Sequence, residues 1–121
     1  MKLDAEVLRN ILLAVENSSE WVQEIHGVPE EIFCYHAKHL IEAEFIDGDT
    51  LPNGDSNIPA AAVLRDLKWN GHEFLKATKD ENLWNKAKDK IINTGAAWSV
   101  NIMLEYLNLE IKRHLGFDQG S

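Results

Sequence analysis

Cations, cysteine and long apolar runs are the scarce commodities of this 121-residue sequence. Cys34 is its only cysteine, so an internal disulfide is excluded and a reducing compartment is expected. Three prolines and seven glycines, the latter scattered singly, leave no Gly-rich phosphate loop, nucleophile elbow or acidic metal motif. No stretch approaches the roughly 18 apolar residues that a membrane span requires. The opening MKLDAEVLRN has early acids and no apolar core, so no export signal is expected and the cytoplasm is the default location. Basic residues are missing above all from the first half. Residues 1–59 hold only Lys2, Arg9 and Lys38 against twelve acids, a net of −9. Residues 60–121 hold nine Lys and Arg against eight acids, a net of +1. A polyanion would be repelled by the first half over about a Debye length.

What is present is apolar material throughout. Hydrophobic residues make up 45% of the chain, and four Trp and four Phe are spread along it, enough for one domain with a core of its own. Asp4 is placed to cap a helix over about 5–17, whose Leu8, Ile11, Leu12 and Val15 form an apolar stripe. Trp21 to Ile25 alternates like a short strand, and His26-Gly27-Val28 reads as a turn. Pro29, Glu30 and Glu31 suit the start of a helix over about 29–44, with Ile32, His36, Leu40 and Ala43 inward. Residues 45–51 and 62–69 read as two strands around the turn-rich tip 52–57, where Asn53-Gly54 is a hairpin signal. Asn70 and Glu73 have capping-box spacing and open a helix. Trp69 and Phe74 are expected to bracket that junction within the core. Asp80 can cap the next helix, and Asn93-Thr94-Gly95 breaks it before a last helix over 96–115 that Gly116 ends.

The expected class is α+β, mostly helical: a winged helix-turn-helix-like domain with a small antiparallel sheet and extra C-terminal helices. It is read as a single domain over 1–121, with a winged-helix core and following helices over 1–92 and the last helix at 96–115. Two segments carry a family resemblance. YHAKHLIEAEFI, Tyr35 to Ile46, looks like the ending "LxxAGLI" of many winged-helix recognition helices. LKWNGHEFL, Leu67 to Leu75, looks like a strand-to-helix junction of the form "LTxxGxxFL". With Glu31 to His36 and the closing His114-Leu115-Gly116-Phe117, the chain resembles domain-of-unknown-function family 2513 over roughly residues 3–117. That resemblance implies a winged-helix fold and a bacterial or phage setting, and no established activity. The chain departs from the family pattern at Pro29, where a Ser-type cap is usual, at Lys68, where Thr is usual, and at Glu44, where Gly is usual.

Candidate chemistry is sparse. His26, Cys34, His36 and His39 form the single metal-like group, with His36 and His39 one turn apart. His36 also falls on the apolar stripe, as a core histidine would. His72-Glu73 has the composition of an acid–base pair, but adjacent helix residues point apart. No catalytic residue, metal or cofactor is therefore expected. The helix over 29–44 should present Glu30, Glu31, Cys34, Tyr35, Lys38 and Glu42 outward, where a base-reading helix offers Arg, Lys, Asn or Gln. With Asp47, Asp49 and Asp55 near the tip, this makes an acidic face. The protein-binding surface is accordingly assigned to Glu30, Glu31, Tyr35, Lys38, Glu42, Asp47 and Asp49, with an unidentified, basic protein as partner.

A rival surface, suited to nucleic acid, would be Arg65, Lys68, Lys76, Lys79, Lys86 and Lys90. The alternative for its lysines is a solvated helical face balanced by Asp80, Glu81 and Asp89. The last helix is apolar nearly all round. Trp98, Ile102, Tyr106 and Leu109 form one stripe, and Val100, Met103, Leu104, Leu107 and Ile111 another. One stripe covers its own domain, and the first is expected to join two copies as a homodimer. The function expected is a non-catalytic module acting on protein, with a dimeric DNA-binding regulator as the alternative.

Overall fold

The computed structural model describes residues 1–93 and 98–115. They hold five helices and a two-stranded antiparallel sheet, an α+β and mostly helical architecture. The chain divides into two compact units, Met1–His72 and Glu73–Ser121.

In the first unit, helix α1 (Ala5–Asn17) starts on Asp4, whose Oδ1 accepts the N–H groups of Glu6 at 2.9 Å and Val7 at 3.3 Å. Two otherwise unpaired helical donors are thereby satisfied. Leu8, Ile11, Leu12 and Val15 are buried, as their spacing predicts. Helix α2 (Glu30–Glu42) begins behind Pro29, which supplies no side-chain cap. It buries Phe33, Cys34, His36, Ala37 and Leu40. Cys34 therefore points inward and not outward, because α2 packs on α1, on β1 (Ile46–Leu51) and on β2 (Ala61–Leu67) and so buries an arc wider than one stripe.

The end of α2 carries Glu44, the second in chain order of the three departures from the pattern that the resemblance implies. Glu44 has φ 66°, the left-handed conformation that a glycine would adopt at no steric cost. Around it, the Phe45 N–H donates to the Leu40 carbonyl at 2.9 Å and the Glu44 N–H to the Ile41 carbonyl at 3.1 Å. This is the double closure of a Schellman motif. The backbone demands the motif, and Glu44 complies at a cost of about 1 kcal/mol.

Strands β1 and β2 pair antiparallel from Ile46↔Leu67 to Leu51↔Ala61, with a bulge between Asp47 and Gly48. Gly48 sits where a Cβ would come within 2.5 Å of the Val63 carbonyl oxygen. The tip between the strands turns through Gly54 at φ 55°. The expected strand over 21–25 shrinks to one bridge, Val22↔Leu64, because Gly27 at φ 83° turns the chain away toward α2. Val22, β2 and β1 thus lie in that spatial order. Residues 18–29 join α1 to α2, a longer connection than the tight turn of a helix-turn-helix.

Helix α3 (Trp69–Thr78) begins one residue before Asn70, so Asn70 is not its cap. Its side-chain amide donates to the Ala43 carbonyl at 3.4 Å and so serves the end of α2. The Lys68 N–H donates to the Phe45 carbonyl at 2.9 Å, and a Cβ on Gly71 would come within 2.3 Å of that same oxygen. This close approach sets which side of the first turn of α3 meets the Phe45 backbone. Gly71, Phe74, Leu75 and Thr78 face inward at i, i+3, i+4 and i+7. Trp69, two positions before Gly71, falls on the opposite side and is 75% exposed. The expectation that Trp69 belongs to the core is overturned. Phe74 is fully buried, as expected.

The second unit contains the rest of α3, helix α4 (Glu81–Asn93) and helix α5 (Val100–Leu115). Asp80 caps α4, its Oδ1 accepting from the N–H groups of Asn82 at 2.9 Å and Leu83 at 3.2 Å. Leu83, Trp84, Ala87 and Ile91 are buried, and the Trp84 and Phe74 rings meet edge to face at 5.9 Å. The last helix starts at Val100 rather than at 96, and the Ser99 hydroxyl accepts the Ile102 N–H at 3.2 Å. The expected break at Thr94-Gly95 and the expected terminator Gly116 lie outside the described residues.

Candidate interaction surface

The outer side of α2 presents Glu30, Glu31 and Glu42 exposed, with Tyr35, Lys38 and His39 half-buried. The Lys38 ammonium donates to the Asn57 carbonyl at 3.0 Å and lies 3.9 Å from the Glu42 carboxylate. It therefore ties the hairpin tip to α2. The Tyr35 ring lies edge-on to His36 and His39, with centroids 5.4 and 4.7 Å away.

The remaining acids assigned to this face are differently placed. Asp47 and Asp49 both bind Arg65 across the hairpin. Nε of Arg65 donates to Asp47 Oδ2 at 3.1 Å and Nη1 to Asp49 Oδ2 at 2.8 Å. The bulge at Asp47/Gly48 lies between the two acids in sequence. Hydrogen bonding to the guanidinium holds the Asp47 carboxyl below its ordinary value and pushes Arg65 up. Arg65 and Lys68, which the sequence offers to a nucleic-acid face, are each engaged by acids of their own unit. Lys68 pairs with Glu44, so two of the departures from the family pattern meet in space. Hydrogen bonding to Glu44 raises the Lys68 ammonium. No signal in the sequence linked these two positions, which lie on different elements.

Of the rival lysines, Lys76, Lys79 and Lys86 are exposed, while Lys90 pairs with the buried Glu110. Arg113 reaches the same Glu110 oxygen at 3.3 Å. Hydrogen bonding to Lys90 holds the Glu110 carboxyl below its ordinary value. On α5, Val100, Met103 and Leu107 are buried. Trp98, Tyr106 and Leu109 are half-buried and Ile102 is 38% exposed, so one apolar stripe keeps part of its surface open.

The metal-like group does not assemble. Cys34 is buried, and burial pushes its thiol up, away from the thiolate that a metal would need. His36 is committed to the core: Nδ1 donates to the Ile32 carbonyl at 2.7 Å and Nε2 accepts the Asp4 N–H at 2.8 Å. These partners fix the neutral ring, and burial lowers its pKa. Among the described residues no group of three or more His, Cys, Asp or Glu could hold a metal ion. His72 is exposed and Glu73 half-buried. Among the described residues no helix is long and apolar enough to cross a membrane.

The feature sequence reading missed is Trp21. It is 62% exposed, and the Arg65 guanidinium lies 5.5 Å from its ring centroid. Trp21, Val22, Gln23 and Glu24 line a cavity of about 600 Å³ with Ala14, Ser18 and Glu20. A second cavity of about 330 Å³ follows along Gln23 to Val28 and reaches Glu30 and Phe33. An alternating run at residues 21–25 carries no signal that a single bridge would leave the Trp in solvent.

Comparison with known proteins accords with the motifs at Tyr35–Ile46 and Leu67–Leu75. An uncharacterized protein of Haemophilus influenzae (strain Rd) is 29% identical over 96 residues, covering 75% of this chain and 79% of the relative. No solved structure matches the chain. The model of the family described as hypothetical protein (DUF2513) matches residues 2–97, and the chain belongs to that family.

Proposed function

We propose that the protein is a non-catalytic winged-helix module that acts by binding protein through the acidic side of its first unit. The observation that carries this reading is how the unit spends its cations. Lys38, Arg65 and Lys68, on the α2 and hairpin side, are each engaged by an acid or a carbonyl of the same unit. Glu30 and Glu31 have no cation opposite them among the described residues. A surface of this kind repels phosphate and attracts a basic partner. The winged-helix reading is supported by the order Val22–β2–β1 and by the hairpin following α2. Family membership suits a bacterial or phage setting, in which an acidic module could occupy the basic surface of nucleic-acid machinery.

A DNA-binding regulator is the second reading, favoured by the exposed Lys76, Lys79 and Lys86 of the second unit. A homodimer through Trp98, Ile102, Tyr106 and Leu109 would serve either reading by covering the open stripe of α5. Glutamate at both Ile102 and Tyr106 should then convert a dimer to a monomer in light scattering, and a wild-type monomer at high concentration refutes the dimer.

Fluorescence anisotropy separates the two readings. The protein should bind duplex DNA only weakly near physiological salt, because Lys38 alone on α2 supports a log–log salt slope of only about −1. Converting Glu30, Glu31 and Glu42 to Lys should create salt-sensitive DNA binding without disturbing the core. Sub-micromolar DNA binding by the unmodified protein would favour the regulator. Loss of that binding on changing Lys76, Lys79 and Lys86 to Gln would place the duplex on the second unit.

A further inference from the structure

We infer that the segment Trp21–Gln23 is a docking edge for an extended, arginine-rich stretch of a partner protein, which would add as a strand in the groove beside α1. The inference rests on the protein-directed reading above and names the place and chemistry of the contact.

The backbone argument comes first. Val22 forms a mutual pair with Leu64: its N–H donates to the Leu64 carbonyl at 2.8 Å, and its carbonyl accepts the Leu64 N–H at 2.8 Å. In an antiparallel ladder the residues on either side of such a pair turn their N–H and C=O groups away from the partner strand. Trp21 and Gln23 are those residues, and among the described residues their backbone groups have no hydrogen-bond partner. A row of unmet donors and acceptors is a template for another strand. The edge also faces a groove of about 600 Å³ whose other wall is Ala14 and Ser18 at the end of α1. An added strand would therefore be held from the side as well as along its backbone.

The side chains select the partner's chemistry. Trp21 offers a largely exposed ring, and Arg65 shows that a guanidinium can lie over it. Glu20 and Glu24 line the groove together with Trp21, and no lysine or arginine lines this groove or the neighbouring one at Gln23 to Phe33. Aromatic ring and carboxylates together favour an incoming guanidinium, which stacks on one and pairs with the other. Alternate residues of an added strand share one face, so arginines at every second position suit this edge.

The test uses the full chain and a short synthetic peptide of alternating Arg and Ser, followed by amide NMR. The expected result is saturable shifts at the Trp21, Gln23 and Glu24 amides. Trp21→Ala should weaken binding by about tenfold, the loss of one partly desolvated cation–π contact. Gln23→Pro removes one outward N–H while keeping an extended backbone, and should abolish binding in a chain whose circular dichroism and Val22–Leu64 pairing are unchanged. If the peptide instead shifts amides of α2 around Glu31 and Glu42 and both variants bind it normally, this inference fails while the protein-directed reading survives. Shifts at Trp21 and Gln23 that appear on concentrating the protein alone would assign the edge to a second copy and overturn the basic partner. Absence of peptide binding at any site would overturn the docking edge, and tight duplex DNA binding beside that absence would overturn the protein-directed reading as well.

Discussion

The two units spend their charges in opposite ways. Met1–His72 carries five Lys and Arg against thirteen acids, a net of −8, whereas Glu73–Ser121 carries seven against seven. Yet the poorer unit puts its cations to long-range use. Arg65 bridges Asp47 and Asp49 across the hairpin, Lys68 reaches back to Glu44, and Lys38 holds Asn57 at the tip. Each joins elements separated in sequence. The described residues of the second unit instead form amphipathic helices, with one buried carboxylate among them, Glu110, held by Lys90 and Arg113. Composition alone therefore misleads about surface. Pairing engages Lys38, Arg65 and Lys68 on the α2 and hairpin side, leaving Glu30 and Glu31 among the acids with no cation opposite them, while the neutral second unit still exposes Lys76, Lys79 and Lys86.

This contrast can be broken most forcefully at α3, the helix that spans the boundary between the units. Phe74→Ala should cost roughly 3–5 kcal/mol by emptying a fully buried aromatic site, read from urea unfolding. Trp69→Ala, on the opposite side of the same helix, should change stability by no more than about 0.5 kcal/mol. Equal losses for the two would mean that the Gly71–Phe45 contact does not set the helix rotation.

Next in size is His36, the polar link between α1 and α2. His36→Leu takes the acceptor from the Asp4 N–H and removes the ring's added bond to the Ile32 carbonyl, and should cost about 1–3 kcal/mol. The pH dependence has a definite sign. Burial depresses the ring's pKa in the folded state, so the unfolded chain binds the proton more readily. The contribution is complete above the unfolded value of about 6.5 and is lost as pH falls through it toward the lower folded value. Urea midpoints should therefore decrease between pH 7 and pH 5, and His36→Leu should flatten that part of the profile. A midpoint that is level with pH in the wild type would refute the neutral, doubly bonded ring.

The smallest effect sharpens the comparison. Glu44→Gly relieves left-handed strain of about 1 kcal/mol and gives up an exposed ion pair with Lys68 whose contribution is about 0–1 kcal/mol. The change should be neutral to slightly stabilising in thermal unfolding, and more stabilising at high salt, where the lost pair is already screened. A clear destabilisation would show that the Glu44–Lys68 pair holds the α2–β2 junction together.

Much was legible beforehand because it depends on neighbours in the sequence. The caps at Asp4 and Asp80, the buried stripe of α1, the hairpin around Asn53-Gly54 and the helix containing Leu83, Trp84, Ala87 and Ile91 are all local consequences of spacing and side-chain chemistry. The departures at Glu44 and Lys68 were visible as single anomalies, and their pairing was not.

Tertiary structure decided which residues those elements would turn toward one another. Trp69 and Trp21 are both large and apolar, but the first is turned out by the backbone contact at Gly71 and the second is left in solvent by a strand reduced to one bridge. Cys34 went inward because α2 is covered on more than one side. Arg65 became the partner of Asp47 and Asp49 because β1 and β2 pair in one register, and register is a property of two strands at once. Periodicity tells a chain which of its faces is apolar; only the packed neighbours determine how wide that face becomes and which charges remain on the outside.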